Sequence, residues 1–481
     1  MLFNSIDFLI FLPIVFILYW AFPHKYRWAL ILISSYYFYM SWNAKYMILI
    51  LFTTFMSYAA ALLIEKFEDK TIRKLIITAT LILCLGVLFF FKYFNFVSSS
   101  VTDFLNLFTL QLHPVTLNLI LPVGISFYTF QTLSYVIDVY RGDIKAERHF
   151  GIYAAFISFF PQLVAGPIER SRHLLPQIKA VHRFDYDKAV YGTKIMLWGY
   201  FKKIVIADML AAYVDVAYVN QKTNTGFMWI LATFFFTLQI YCDFSGYSDI
   251  AIGTAKLLDI DLMTNFKSPY FASSIREFWR RWHISLSTWF KDYVYIPLGG
   301  NRCSKVRRSF NLLVTFLVSG LWHGANWTYI IWGAVHGIAQ IIESVFAKSL
   351  KAFRAHKIGN ILSTIFVFLF CSFAWIFFRA ETLTDAVHII SHMFTGIGNF
   401  SAYIETGLIA LGLNDTAALA YIFGLVFLLM LYDYLNKDND LILTVTQKHP
   451  AFQWCFYTAL GLFVVFFAQK GVAAEFVYFQ F

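Results

Sequence analysis

Apolar residues along this chain gather in runs long enough, or nearly long enough, to cross a bilayer. They fall at 4–22, 28–42, 46–64, 75–91, 118–137, 203–219, 226–245, 310–322, 327–346, 360–378, 418–433 and 451–469. Several are shorter than the ~20 residues that a straight span needs. The pattern predicts an all-α polytopic membrane protein with about twelve spans. The first run, Leu9 to Phe22, has no basic region before it and no small-residue cleavage site within Met1 to Trp20. It ends in His24, Lys25 and Arg27, so a retained first span is expected rather than a cleaved signal. No internal repeat and no low-complexity linker interrupts the pattern, so residues 1–481 are read as one integral membrane domain.

Two regions break the rhythm. In "FISFFPQLVAGPIERSRHLLPQI" (156–178) the apolar part is short and is cut by Pro161, Gly166 and Pro167. A short helix that enters and returns is predicted, because broken backbone at membrane depth is tolerated only under a cover of protein or beside a water-filled cavity. The second region is 266–310, where basic and aromatic residues interleave.

Composition agrees with the spans. Apolar residues make up 59% and charged residues 14%, against ~45–50% and ~25% in soluble domains. The 55 Phe and 13 Trp suit lipid-facing and interfacial surface. The net charge of +10 is read as cytoplasmic loop charge, and no nucleic-acid partner is expected. With the N-terminus outside, the first inner loops hold Lys25 and Arg27, then Lys66, Lys70, Arg73 and Lys74, then Arg141, Lys145 and Arg148. The opposing loops hold Lys45, and 96–120 carries no Lys or Arg. Further on, Lys348, Lys351, Arg354 and Lys357 fall inside, and 396–417, which has no Lys or Arg, falls outside. Twelve spans then put the C-terminal peptide outside as well. The five cysteines are scattered, with no CxxC pair and no metal spacing, and read as small hydrophobes. No Walker loop, HExxH, GxSxG or dinucleotide fingerprint is present.

Candidate chemistry concentrates in three stretches. Between Lys267 and Arg308 stand nine Lys or Arg and two acids, Glu277 and Asp292, among Trp279, Trp282, Trp289, Phe278 and Phe290. This reads either as an interfacial anchor or as a basic surface that docks an anion such as a CoA phosphate or an acidic carrier protein. On the second reading Trp279, Arg280, Arg281 and Trp282 bind substrate. His283 lies in the same stretch, where a lone histidine is more often a structural hydrogen-bonder. In "LVSGLWHGANWTYIIWGAVHG" (317–337), His323 sits between two apolar spans. An ionisable residue there is a functional candidate, and imidazole suits proton transfer near neutral pH. Gly320 and Gly324 are expected to leave open space for a close approach to it. Asn326 joins the candidate binding residues, and His336 reads as a packed core histidine. In "QIYCDFSGYSDIAIG" (239–253), Asp243 and Asp249 are expected to pair with the nearby basic loop. Asp243 is also kept as a candidate substrate-binding residue.

Taken together, "SFYTFQTLSYVIDVYRG" (126–142), "FFPQLVAGPIER" (159–170), "QIYCDFSGYSDIAIG", "FWRRWHISLSTWFKDYVYIPLGGNR" (278–302) and "GLWHGANWTYIIWGAVHG" (320–337) resemble the membrane-bound O-acyltransferase family. The likeness covers most of the chain and is densest from about 120 to 340. Within the family it leans to the alginate O-acetyltransferase-like branch, with "YIPLGGNR" and "WHGANW" less like the D-alanyl transferases. The resemblance implies a ring of tilted and re-entrant helices around a central tunnel in a bacterial cytoplasmic membrane. It implies transfer of an acetyl group from a cytoplasmic thioester, acetyl-CoA or an acyl carrier protein, to an extracytoplasmic polysaccharide, with an extracytoplasmic transferase as partner. No bound cofactor and no metal are expected. His323 is the implied catalytic residue and His283 the second characteristic histidine. A transporter or flippase of donor or lipid, a D-alanyl transferase and a silent assembly subunit stand as alternatives.

The last stretch, "GVAAEFVYFQF" (471–481), is apolar with a single tyrosine, Tyr478. Two readings stand side by side. The tail packs on the last span with Tyr478 at the interface, or, as a likeness to a partner peptide of D-alanylation systems implies, Tyr478 relays the acyl group.

Overall fold

The computed structural model describes residues 1–219, 221, 224–468 and 476–477. All regular structure among the described residues is helical. The contacts divide the chain into two compact units, Met1–Met196 with Ile250–Met263, and Leu197–Asp249 with Thr264–Phe481.

Among the described residues six helical runs are long and apolar enough to cross a membrane, and seven if Trp327–Val345 and Ala347–Ala355, bent by 80°, count as one. This is fewer than the twelve apolar segments of the sequence. One reason is merging. The runs at 28–42 and 46–64 fall within one helical stretch, His24–Lys66, of 43 residues. At ~1.5 Å per residue such a stretch is about twice the ~30 Å of a bilayer core. It is interrupted at Ala44–Tyr46, where Asn43 turns extended and its side chain accepts the Lys45 N–H. Another reason is burial. The segment at 118–137 forms the 17-residue helix Ile125–Arg141, which buries Ser126, Thr129, Gln131, Thr132, Ser134 and Asp138. Pro450–Phe467 is the opposite case, with Trp454, Val465 and Phe466 exposed. Such a surface suits contact with lipid.

The first unit contains the broken segment. Phe150–Ser158, the single turn Phe160–Leu163 and Ser171–Lys179 replace a crossing helix. Every residue from 153 to 171 is buried. The Phe156 carbonyl left over at the break accepts the side-chain amides of Gln131, at 2.9 Å, and Gln162, at 2.8 Å. Satisfied in this way, an interrupted backbone is tolerated in an apolar setting. Polar ties close the unit's loops. Glu169 accepts the Met263 N–H and contacts His173 at 2.7 Å. Lys188 bridges Asp259 and Asp261.

The second unit is built around Phe227–Leu257, whose last eight residues belong to the first unit. After it come two short helices, Ile275–Arg281 and Ile284–Phe290. The hairpin Lys305–His323 and Trp327–Val345 and the helix Lys357–Arg379 follow. The hairpin is closely packed. A Cβ on Gly320 would lie 2.2 Å from the Tyr329 carbonyl, and one on Gly333 2.3 Å from the Phe316 carbonyl. Small residues at such a crossing let two backbones touch, a main source of helix association in lipid.

Candidate active site

His323 is the last residue of its helix, and Gly324 leaves it in extended conformation. Asn326 then caps the return helix, its Oδ1 accepting the Thr328 N–H at 3.0 Å while its Nδ2 donates to the Glu381 carbonyl at 2.8 Å. The turn is fixed at both ends, and His323 is 4% exposed. Its ring meets Trp322 at 4.9 Å, Trp332 at 5.0 Å and Phe378 at 5.3 Å between centroids. Gly324 does not open space beside it. A Cβ there would strike the Tyr329 ring at 2.1 Å. The expectation that Gly320 and Gly324 clear an approach to the imidazole is therefore corrected: both positions are filled by the packing of the two helices.

His283 stands between the short helices with φ 44° and ψ 54°. This left-handed conformation is uncommon outside glycine and marks a tightly held position. The holding groups are visible. The Ile284 N–H donates to the Asn265 carbonyl at 3.0 Å. The Asn265 Oδ1 accepts the Ser285 hydroxyl at 2.6 Å, and its Nδ2 donates to Ser248 Oγ at 3.1 Å. Asn265 thus ties the His283 turn to the Phe227–Leu257 helix. The imidazole is fully buried, 4.6 Å from the Phe244 ring and 6.0 Å from Trp322. Trp322 therefore borders both histidines. Neither ring nitrogen of His283 has a hydrogen-bond partner among the described residues. This histidine lies outside the spanning helices, and burial pushes its imidazole down from 6.5 to about 3. It is neutral at physiological pH. Buried polar groups are nearly always satisfied, so an unmet imidazole suits a site that receives a ligand.

An open-mouthed cleft of about 460 Å³ adjoins this region. Arg276, Arg280, Lys291 and Arg308 line it, with no acid among the described lining residues, and Trp279, Phe316 and Ser319 line it too. Ser319 is four residues before His323 on the same helix, one turn away. Of the sequence candidates, Trp279 and Arg280 line this cleft. Trp279 also donates its indole N–H to His336 Nδ1 at 3.3 Å, and His336 lies in the aromatic core with Phe278 and Trp332.

The other candidates carry internal ties. Arg281 pairs with Glu277 at 2.9 Å and donates to the Lys267 carbonyl. Trp282 is fully buried against Phe278 and Trp375. Asp243 is paired with Lys203 at 2.7 Å, and Lys203 also holds Asp208 at 2.8 Å. Asp249 pairs with Lys202 at 2.8 Å. The expected pairing of the two acids with the 266–310 loop is corrected: their partners are two buried lysines of the π-helical segment Phe201–Ala207. Two adjacent lysines in an apolar run were the available signal, since an intramembrane lysine needs an acid. Asn265 gave no signal, because its neighbours in space are 17 and 20 residues away in sequence. Tyr478 lies outside the described residues. Among those residues no three His, Cys, Asp or Glu side chains gather as metal ligands.

Comparison with known proteins gives this geometry its context. The profile of the "MBOAT, membrane-bound O-acyltransferase family" matches residues 144–380, which include both histidines and the cleft. The chain is 42% identical over 428 residues to the probable alginate O-acetylase AlgI of Pseudomonas aeruginosa, covering 88% of this chain and 80% of that protein. It is 35% identical over 457 residues to the peptidoglycan O-acetyltransferase of Helicobacter pylori, with the same coverages. It is 28% identical over 285 residues to the teichoic acid D-alanyltransferase of Bacillus subtilis, covering 56% of this chain and 72% of that one. Apolar helices, a buried histidine pair beside a basic cleft, and identity at this level over most of the length lead to one conclusion: the chain belongs to the membrane-bound O-acyltransferase family and is a multi-pass membrane O-acyltransferase.

Proposed function

We propose that this enzyme moves an acetyl group from a cytoplasmic thioester through the membrane to an extracytoplasmic hydroxyl, for O-acetylation of an alginate-like exopolysaccharide or a cell-wall glycan. The observation that carries the reading is the cationic cleft that runs to Ser319, one turn from buried His323. Four cations and no acid suit the phosphates of acetyl-CoA or of a carrier-bound pantetheine arm. The relatives named for acetyl transfer are more similar and cover more of the chain than those named for D-alanyl transfer. This favours acetyl transfer to a saccharide.

In this mechanism a His323 ring nitrogen takes the proton of the acceptor hydroxyl as the oxygen attacks the thioester carbonyl. The carbon–sulfur bond breaks, the ester forms, and the imidazolium returns the proton to the departing thiolate. His283, neutral and unmet, is the second group able to hold a hydroxyl or the carbonyl. The aromatic walls exclude water, which would otherwise hydrolyse the donor. The cleft then faces the cytoplasm, both chain ends lie outside, and an extracytoplasmic transferase completes delivery to the polymer. The Tyr478 relay belongs to the same proposal: its phenol, with pKa about 10, would accept the acetyl group from the donor and pass it to a sugar.

The deciding experiment uses purified protein in lipid with an acetyl thioester and a soluble saccharide or phenol acceptor. Free thiol and a new ester should form in equal amounts, and His323→Ala should slow both ~10²-fold or more. Wild-type ester formation in a folded His323→Ala protein would remove the assignment. Movement of the donor across the membrane without thioester cleavage would favour a transporter. Full activity in Tyr478→Phe would remove the relay alone.

A further inference from the structure

Phe476 and Val477 follow the last apolar helix, Pro450–Phe467, by nine and ten residues and are 1% and 4% exposed. The Val477 N–H donates to Asp243 Oδ2 at 2.6 Å. The other oxygen of that carboxylate is held by Lys203 at 2.7 Å, and Asp243 itself is 1% exposed. The Phe476 ring meets Tyr247 at 4.8 Å and Phe244 at 5.7 Å. Phe244 in turn presses edge-on against the His283 ring at 4.6 Å. Asp243, Phe244 and Tyr247 are neighbours on one helix, so one short surface receives both the backbone and the ring of this segment.

We infer that the segment at Phe476 and Val477 is a positioning element for His283, anchored to Asp243 and acting through Phe244. The reason lies in how His283 is held. No hydrogen bond among the described residues orients its ring, so packing by Phe244 and Trp322 must do so. Phe244 is backed by Phe476. Removing that backing leaves a gap, and a ring without a polar tether turns into it. The anchor is strong for a backbone contact because its acceptor is charged. The charge is retained in a buried place because Lys203 neutralises it. Asp243, a candidate substrate residue in the sequence, thus serves the chain's own backbone.

The inference rests on His283 belonging to the reaction site, and its test separates the two ideas. Hydrogen exchange of the full chain in lipid nanodiscs reads the anchor without any reaction. The Val477 amide should exchange slowly in the wild type and about tenfold faster or more in Asp243→Asn, which loses a hydrogen bond to a charged group. Fast exchange in the wild type would overturn the anchor. Turnover reads the positioning. Val477→Pro, which removes the donor and leaves the Lys203–Asp243 pair intact, and Phe476→Ala should each lower kcat about ten- to a hundredfold, the cost of a misplaced group. KM for the thioester should stay unchanged, because the cleft contacts neither residue. Phe476→Leu should recover most of the loss. Wild-type kcat in Phe476→Ala, with His283→Ala inactive, would overturn the positioning role alone. Wild-type kcat in His283→Ala would overturn the site beneath it.

Discussion

The cationic cleft and the histidine pocket lie one helical turn apart and treat polarity in opposite ways. The cleft keeps Arg276, Arg280 and Lys291 in contact with water, and no acid stands among its described lining residues. The pocket shuts His283 and His323 among Phe244, Trp322, Trp332 and Phe378. Unpaired surface cations are inexpensive, because water screens them, and they attract an anion over a distance. An imidazole in an aromatic box is costly to charge at rest, which suits the neutral base of the proposed reaction. On the proposed function, binding and chemistry would be separated by about one turn of the Lys305–His323 helix, whose tight partner is Trp327–Val345.

Damage to the two regions should read out differently. The largest effect is expected from His323→Ala, with turnover reduced ~10²- to 10⁴-fold, the usual worth of a general base, and little change in KM. A loss confined to KM would move His323 from the chemistry to binding. Next comes the charge pair that supports the pocket. Lys203→Ala leaves buried Asp243 and partly buried Asp208 without their cation and should cost ~3–5 kcal/mol of stability, measured by thermal unfolding in detergent. Gly333→Val drives a side chain into the Phe316 carbonyl. It should cost ~1–3 kcal/mol and disturb cleft and pocket together, since both share this helix pair.

The cleft should respond more gently. Arg280→Ala and Arg308→Ala should each raise the donor KM several-fold, on the order of 1 kcal/mol, and leave kcat alone. Added salt should raise the wild-type KM and do so less in the double variant. Salt-independent KM would remove the electrostatic role. Close to neutral pH the smallest effect is the one on pH. His283 titrates at 6.5 when unfolded and is lowered to about 3 in the fold by burial. The unfolded chain therefore binds the proton first, and stability falls as pH drops from about 6.5 towards 3. The slope is at most ~1.4 kcal/mol per pH unit. His283→Gln should flatten that part of the curve, and an unchanged curve would show that His283 is not held neutral.

Much of the site was legible because motifs of this kind are local. His323 at a helix end, the capping Asn326, and the basic run 276–308 are all set by residues near one another in sequence. Charge arithmetic also works locally, which is why the basic surface stood out. Partner choice does not. Asp243 and Asp249 pair with Lys202 and Lys203, about forty residues earlier, because two helices bring them together. The glycines near His323 were legible as important but not as packing positions, since a missing side chain looks the same whether a ligand or a backbone fills the space. Arg281 and Trp282 sat beside Arg280 and Trp279 in an aromatic–basic string. Only the turn of the helix decides which of the four face a cleft.

By itself the sequence determined the membrane setting, the helical class, the family likeness and the identity of the two histidines. These follow from composition, apolar run length and contiguous motifs, quantities that folding does not alter. The tertiary structure alone decided how many runs are long and apolar enough to cross, since merging and burial depend on neighbours. It also decided that Trp322 borders both histidines and that Asn265 holds the His283 turn. Last, it placed Phe476 and Val477 against Asp243 and Phe244. Buried charges and orphan backbone groups take partners that are near in space, and chain distance does not predict them.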